Sequence, residues 1–250
     1  MGLWSSIKKA AKKVWRAAKA VVRVVVRAVI EVLNRLTFGL LDLVFGFFAW
    51  PRKRLRLHVF ILWSETPPVI EGNPAPPIEQ VVQDAIEVTK RIYKERFNVD
   101  VLPYSKSFIQ VIHDPVPDYA LDVSCNLGIE FTEAGEYYAG LLAGWNVIPI
   151  TGTWPVTVFV VRDLKGFDLG CSMSVIADYV IVDRSGIETS PITLPHEIGH
   201  TCGLSPGPGW HDWTPGNLMY KEAPAGENVK WFQKIFCARR ATFNTGRADC

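Results

Sequence analysis

Two histidines four residues apart, in the stretch TLPHEIGHTCGL (193–204), constrain this chain more than any other feature. On an α-helix, side chains at i and i+4 project from one face, so His196 and His200 can grip one ion while Glu197 lies beside them, within reach of a metal-bound water. Such a pair works as a metal grip only on a short helix held rigidly against a core. The flanking residues provide for one. Thr193 is expected to cap the helix, Pro195 falls in the first turn where its missing N–H does no harm, and Gly203 offers the permissive backbone that stops it. The helix follows closely on the apolar run VIADYVIVDR (175–184), which places both histidines against a sheet.

The rest of that sheet is expected from other apolar runs: LRLHVFILW (55–63), VDVLPY (99–104), FIQVIH (108–113) and VTVFVVRD (156–163). Between the first two, residues 78–97 place Ile78, Val81, Val82, Ala85, Ile86, Val88, Thr89, Ile92 and Tyr93 on one face of an amphipathic helix. The intervening SETPPVIEGNPAPP (64–77) reads as a Pro-rich loop, residues 114–155 carry no clear periodicity, and NVKWFQKIFCARRAT (228–242) reads as a final helix. A helix over several strands is an α+β core. His58, within an apolar strand, and His113, at a strand end before Asp114 and Pro115, read as structural.

From the HEIGH motif onward the chain resembles the metzincin family of zinc peptidases, whose pattern is HExxHxxGxxH followed by a Met-turn. His196, Glu197, His200 and Gly203 match it. Three residues after Gly203, where the third ligand should stand, is Pro206; the longer loop SPGPGW carries the chain to His211 instead. From there HDWTPGNLMY looks like the matrixin branch, with Pro215 four and Met219 eight residues after His211. The resemblance implies a twisted, mostly parallel sheet with a backing helix and a zinc-site helix, the metal ligands His196, His200 and His211, and Met219 as a soft support beneath the metal. Asp212 stands as the alternative third ligand, since some metzincins use Asp. Tyr220 follows Met219 directly and so does not match the family's zinc-capping Tyr.

The chemistry expected of such a site follows from three neutral nitrogen ligands. They leave one position on Zn2+ for a water whose pKa falls to about 7, and Glu197 takes its proton and later passes it to the departing amine. Trp210, Trp213 and Tyr220 are candidate pocket walls. This reading is a zinc-dependent endopeptidase acting on a peptide or protein, with another amide as a further substrate class.

Charge divides the chain in two. Residues 1–56 hold 13 Lys/Arg against Glu31 and Asp42, while the remainder holds 14 basic against 23 acidic residues, so the two parts have opposite sign. In residues 3–33 an apolar stripe (Leu3, Trp4, Ile7, Val14, Trp15, Val22, Val29) runs opposite Lys8, Lys12, Arg16, Lys19, Arg23 and Arg27. That pattern fits an anionic membrane surface rather than nucleic acid, and its opening resembles dermaseptin-type amphipathic antimicrobial peptides. The apolar run 36–50 spans about 22 Å as a helix, short of the roughly 30 Å hydrocarbon core, so shallow association is expected rather than crossing. Residues 1–53 are therefore read as a membrane-associating helical segment and 54–250 as the catalytic domain. The alternative is a membrane-active or anchoring effector or toxin whose peptidase-like domain is inactive or secondary. The five cysteines show no close pairing and read as buried thiols, with one or two disulfides in an exported protein as the alternative.

Overall fold

A computed structural model describes residues 33, 40–41, 52–63, 69–70, 73–74, 76–124, 129, 132–142, 155–166, 169–172, 179–204, 211–221 and 225–243. The expectations for the amphipathic and apolar segment 1–50 fall almost wholly outside them, as does the loop carrying Trp210. Among the described residues no helix is long and apolar enough to cross a membrane.

In chain order the elements are β1 (Lys53–Ile61), β2 (Val69–Ile70), β3 (Asn73–Pro74), α1 (Ile78–Ile92), β4 (Val99–Pro103), β5 (Ile109–Val111), α2 (Asp118–Leu121), β6 (Asp122–Ser124), α3 (Glu133–Leu141), β7 (Val156–Val161), β8 (Asp163–Lys165), β9 (Gly170–Ser172), β10 (Tyr179–Asp183), α4 (Arg184–Thr189), α5 (Thr193–Thr201) and α6 (Trp231–Phe243). The main sheet runs β4-β1-β7-β10-β9, with β5 pairing the same edge of β1 beyond β4. All its pairings are parallel except that of β9 with β10. The fold is mixed α/β with a mostly parallel sheet, in agreement with the α+β expectation.

Strands buried on both faces read as continuous apolar runs, and this is why β1, β7 and β10 stand out in the sequence. Their alternate residues enter two separate cores. Leu55, Leu57, Val59, Val156, Val158, Val160, Val180 and Val182 face α1, α5 and α6. Phe60, Phe159, Val161, Tyr179 and Ile181 face α2 and α3, where the Tyr138 ring stacks on Phe159 at 4.7 Å and its hydroxyl donates to the Ala120 carbonyl at 2.8 Å. Two layers of helices thus sandwich one sheet.

Helix α1 buries the face that the periodicity marks, with Val88 alone half-buried. Fully burying each of Ile78, Val82, Ile86 and Ile92 stabilises by about 1.5–3 kcal/mol. The helix continues as a π-turn (Tyr93–Phe97) and stops at Asn98, whose left-handed backbone (φ 55°) suits Asn better than most residues. The Tyr93 hydroxyl donates to the Pro195 carbonyl at 3.2 Å, which ties the backing helix to the site helix.

The start of α5 differs from the expected cap. Ile192 precedes the helix without a side-chain cap, and Thr193 is its first residue; the Ile192 N–H is taken by Ser190 Oγ at 3.3 Å and the Thr193 N–H by the Ser190 carbonyl at 3.1 Å. Ser190 closes the turn that enters α5, and the His196 N–H that a Thr193 cap would serve goes to the Ile192 carbonyl at 2.9 Å. The stop is as expected. Gly203 adopts φ 69°, its N–H donates to the His200 carbonyl at 2.9 Å, and the Leu204 N–H to the Gly199 carbonyl at 3.0 Å, a Schellman closure.

The reading of the cysteines as free thiols holds for Cys202 and Cys237, both buried, and fails for Cys171, which is disulfide-bonded. Spacing alone could not reveal a bridge between residues distant in sequence. Residues 114–155, left unassigned from sequence, supply α2, β6 and α3 on the far face of the sheet.

Candidate metal centre

Helix α5 is buried along its whole length, including His196, Glu197 and His200. The third imidazole returns from beyond the helix: ring centroids lie 5.0 Å apart for His196 and His200, 5.2 Å for His196 and His211, and 4.9 Å for His200 and His211. One ligand atom from each ring lies within 4.8 Å of the others. A tetrahedral zinc with bonds of about 2.05 Å asks for nitrogens about 3.4 Å apart, so small ring rotations bring the set to coordination distance. The donor set therefore fits a divalent metal; three imidazoles suit zinc, copper, iron or nickel.

His196 is oriented from behind. Its Nδ1 stands 2.7 Å from the Leu218 carbonyl. A carbonyl only accepts, so Nδ1 carries the proton and Nε2 is left as the ligand atom. Burial pushes the His196 pKa down to about 4, against the raising effect of that bond and with His211 lowering it further. Burial, with His196 and His211 adding repulsion, takes His200 down to about 3. Both rings are thus neutral at pH 7, the state a metal ligand requires.

The turn that follows His211 is built to hold it. Thr214, Pro215, Gly216 and Asn217 form a β-turn closed by the Asn217 N–H on the Thr214 carbonyl at 3.1 Å, with φ 81° at Gly216, as a type II turn demands. Met219 follows, fully buried beneath α5. A Cβ placed on Gly199 would stand 2.5 Å from the Met219 sulfur, so the residue before His200 must be glycine for that thioether to pack there. The Asp212 N–H donates to the Met219 carbonyl at 2.6 Å, joining the ligand segment to the turn.

Asp212 itself does not join the cluster of imidazoles. Its carboxylate accepts from the Thr214 N–H at 2.8 Å and pairs with the Lys230 ammonium at 2.6 Å. Burial would raise its pKa, but the bonds from Lys230 and Thr214 outweigh it and hold the carboxyl below the usual range. The geometry thus groups His211, and not Asp212, with the other two imidazoles. Sequence could not distinguish the two neighbours; the pairing of Asp212 with Lys230 and Thr214 does.

The remaining candidates separate. His58 packs in β1 against Phe60, with ring centroids 4.1 Å apart, and His113 is exposed; neither belongs to the cluster. Trp213 is 76% exposed with Lys221 over its ring at 5.8 Å, and Tyr220 is half-buried, so Trp213 is not a packed wall. A residue that the sequence reading passed over is Gln233 on α6, fully buried. Its Oε1 accepts from Asn217 Nδ2 at 3.2 Å and from the Lys230 N–H at 2.7 Å, and its Nε2 donates to the Leu204 carbonyl at 3.2 Å. The sequence offers little signal for it, since α6 carries other polar residues, the buried Arg240 among them.

No known protein family matches the chain, and no curated protein matches it. Among solved structures, a chain described as "Structure of a chaperone-substrate complex" aligns over 77% of this chain and 35% of its own length, at 12% identity and a TM-score of 0.43. This chain thus spans about a third of that one.

Proposed function

We propose that the chain is a zinc-dependent metalloendopeptidase of the metzincin type. The observation that carries the reading is the convergence of three neutral imidazoles from two adjacent helical turns and a returning loop, with a buried carboxylate, Glu197, on the residue after the first of them. The resemblance drawn from the sequence supports it further: the same helix ends at Gly203 and Met219 underlies it.

A zinc ion held by His196, His200 and His211 supplies Lewis acidity toward a carbonyl and toward water. The work of the chain's own residues follows from their placement. Leu218 fixes the tautomer of His196, the Asp212–Lys230 pair and the turn hold His211, and Met219 fills the space beneath. Glu197, only 7% exposed, is the base. It accepts a proton from the attacking water and delivers it to the amine nitrogen as the C–N bond breaks, so the peptide is hydrolysed to acid and amine with no proton left over. The basic segment 1–56 favours an anionic membrane surface as the place where this occurs, and vesicles of anionic against neutral lipid would show that preference in co-sedimentation.

The test is proteomic cleavage profiling of the wild type beside Glu197→Gln, each with and without a chelator. New peptide ends are expected with the wild type alone, and to vanish on chelation and return with zinc. Identical profiles for all four samples exclude a peptidase.

A further inference from the structure

Strand β9 lies at the edge of the sheet, antiparallel to β10, with Gly170 opposite Val182, Cys171 opposite Ile181 and Ser172 opposite Val180. It passes directly over Glu197. A Cβ built on Gly170 would stand 2.5 Å from Cγ, 2.8 Å from Cδ and 2.8 Å from Oε1 of Glu197, and these are its three nearest atoms outside its own neighbours. All three belong to one side chain. The bare α-carbon of residue 170 is therefore one wall of the compartment that holds the carboxylate.

We propose that Gly170 is a positioning residue for Glu197: the absence of a side chain there sets where the carboxylate can stand relative to the three imidazoles. The inference rests on the peptidase reading above and adds a residue that neither the HExxH motif nor the Met-turn contains. Its physical basis is the kind of atom met. At Gly186 an added Cβ would strike the Leu169 carbonyl at 1.9 Å, a backbone atom that cannot yield cheaply, whereas at Gly170 the three nearest atoms all belong to the side chain of one glutamate. An alanine at 170 therefore shifts the carboxylate and spares the strand. The ligands stay in place, because His196 is held from the opposite side by Leu218 and His200 lies nearly a full turn further along the helix.

The experiment is Gly170→Ala in the full chain, with Glu197→Ala and the double variant completing a cycle. For Gly170→Ala we expect zinc affinity, measured by competition with a chromophoric chelator, within about threefold of wild type, KM within about threefold, and kcat lowered about a hundredfold, the scale of general acid–base catalysis. Glu197→Ala removes Cγ, Cδ and both oxygens, the atoms that the added methyl would meet. Adding Gly170→Ala to it should cost less than about threefold more, a non-additivity that a general loosening of the fold would not produce. Wild-type kcat in Gly170→Ala, a parallel loss of zinc, or additive losses in the double variant would each overturn the proposal. A wild type that binds zinc at the three histidines but cuts no peptide would overturn the peptidase reading instead, and this inference with it.

Discussion

His196 and Leu218 are joined by one hydrogen bond of 2.7 Å, imidazole Nδ1 to backbone carbonyl, and the residue after Leu218 is the methionine that packs beneath the site helix. One turn of chain thus orients His196 and fills the space beneath the site helix. Whatever displaces that turn acts on both.

Asn217 is the side chain that holds the turn in place. Its Oδ1 accepts from the Met219 N–H at 2.8 Å and from Gln233 Nε2 at 3.2 Å, all buried. Asn217→Ala leaves these donors unpaired, so stability should fall by about 1–3 kcal/mol and zinc affinity by roughly 10–100-fold. Thermal melts and zinc competition on one preparation check both.

Asp212 separates a ligand from a ligand's support. Asp212→Ala removes the Lys230 pair and the acceptor for the Thr214 N–H while leaving all three imidazoles, so zinc should bind in the same stoichiometry but roughly 10–100-fold more weakly. His211→Ala should be the more damaging change. The reverse order would make Asp212 the third donor.

The lowered histidine pKa values carry a sign. In the unfolded chain His196 and His200 titrate near 6.5; in the metal-free fold they hold out to about 4 and about 3. The unfolded state therefore binds protons first as pH falls. Their contribution to stability is full above about 6.5, is lost between 6.5 and the range of 3 to 4, and changes no further below it. Melts of chelator-treated protein across that window should show the decline, and a His196→Leu/His200→Leu variant should flatten it.

The single bridged cysteine among the described residues is Cys171, in the middle of β9. Cys202 and Cys237 are free. Peptide mapping without reduction should find Cys171 in a disulfide-linked peptide, and Cys202 and Cys237 among the thiols alkylated after unfolding. Cys171→Ser should cost about 2–5 kcal/mol, read as a lower melting temperature.

What the sequence makes legible follows the strength of each local signal. Helix α1 shows because one face is apolar at period 3.6, and β1, β7 and β10 because strands buried on both faces are apolar throughout. Strand β9, three residues with glycine first, has neither pattern and exists through its pairing with β10. Helix α3, EAGEYYAGL, holds two glycines and shows only once its tyrosines meet the sheet. At the site, spacing alone marks His196, Glu197, His200 and, through Met219, His211. The roles of Gly199, Gly170 and Gln233 depend on contacts across the fold, which no one-dimensional pattern encodes. The cap of α5 falls one residue earlier than expected because, of the N–H groups a Thr193 side chain could serve, residue 195 is a proline with none and that of His196 goes to the Ile192 carbonyl.

Helix α6 gives no ligand, yet through Gln233 it holds both Leu204, just past the end of the site helix, and Asn217, in the turn that carries Met219. A version of the chain cut back before residue 231 would retain all three imidazoles and the base while losing the clasp that keeps them in one place. Trimming at this end, by a protease or by the experimenter, would thus disarm the centre without touching a single coordinating atom.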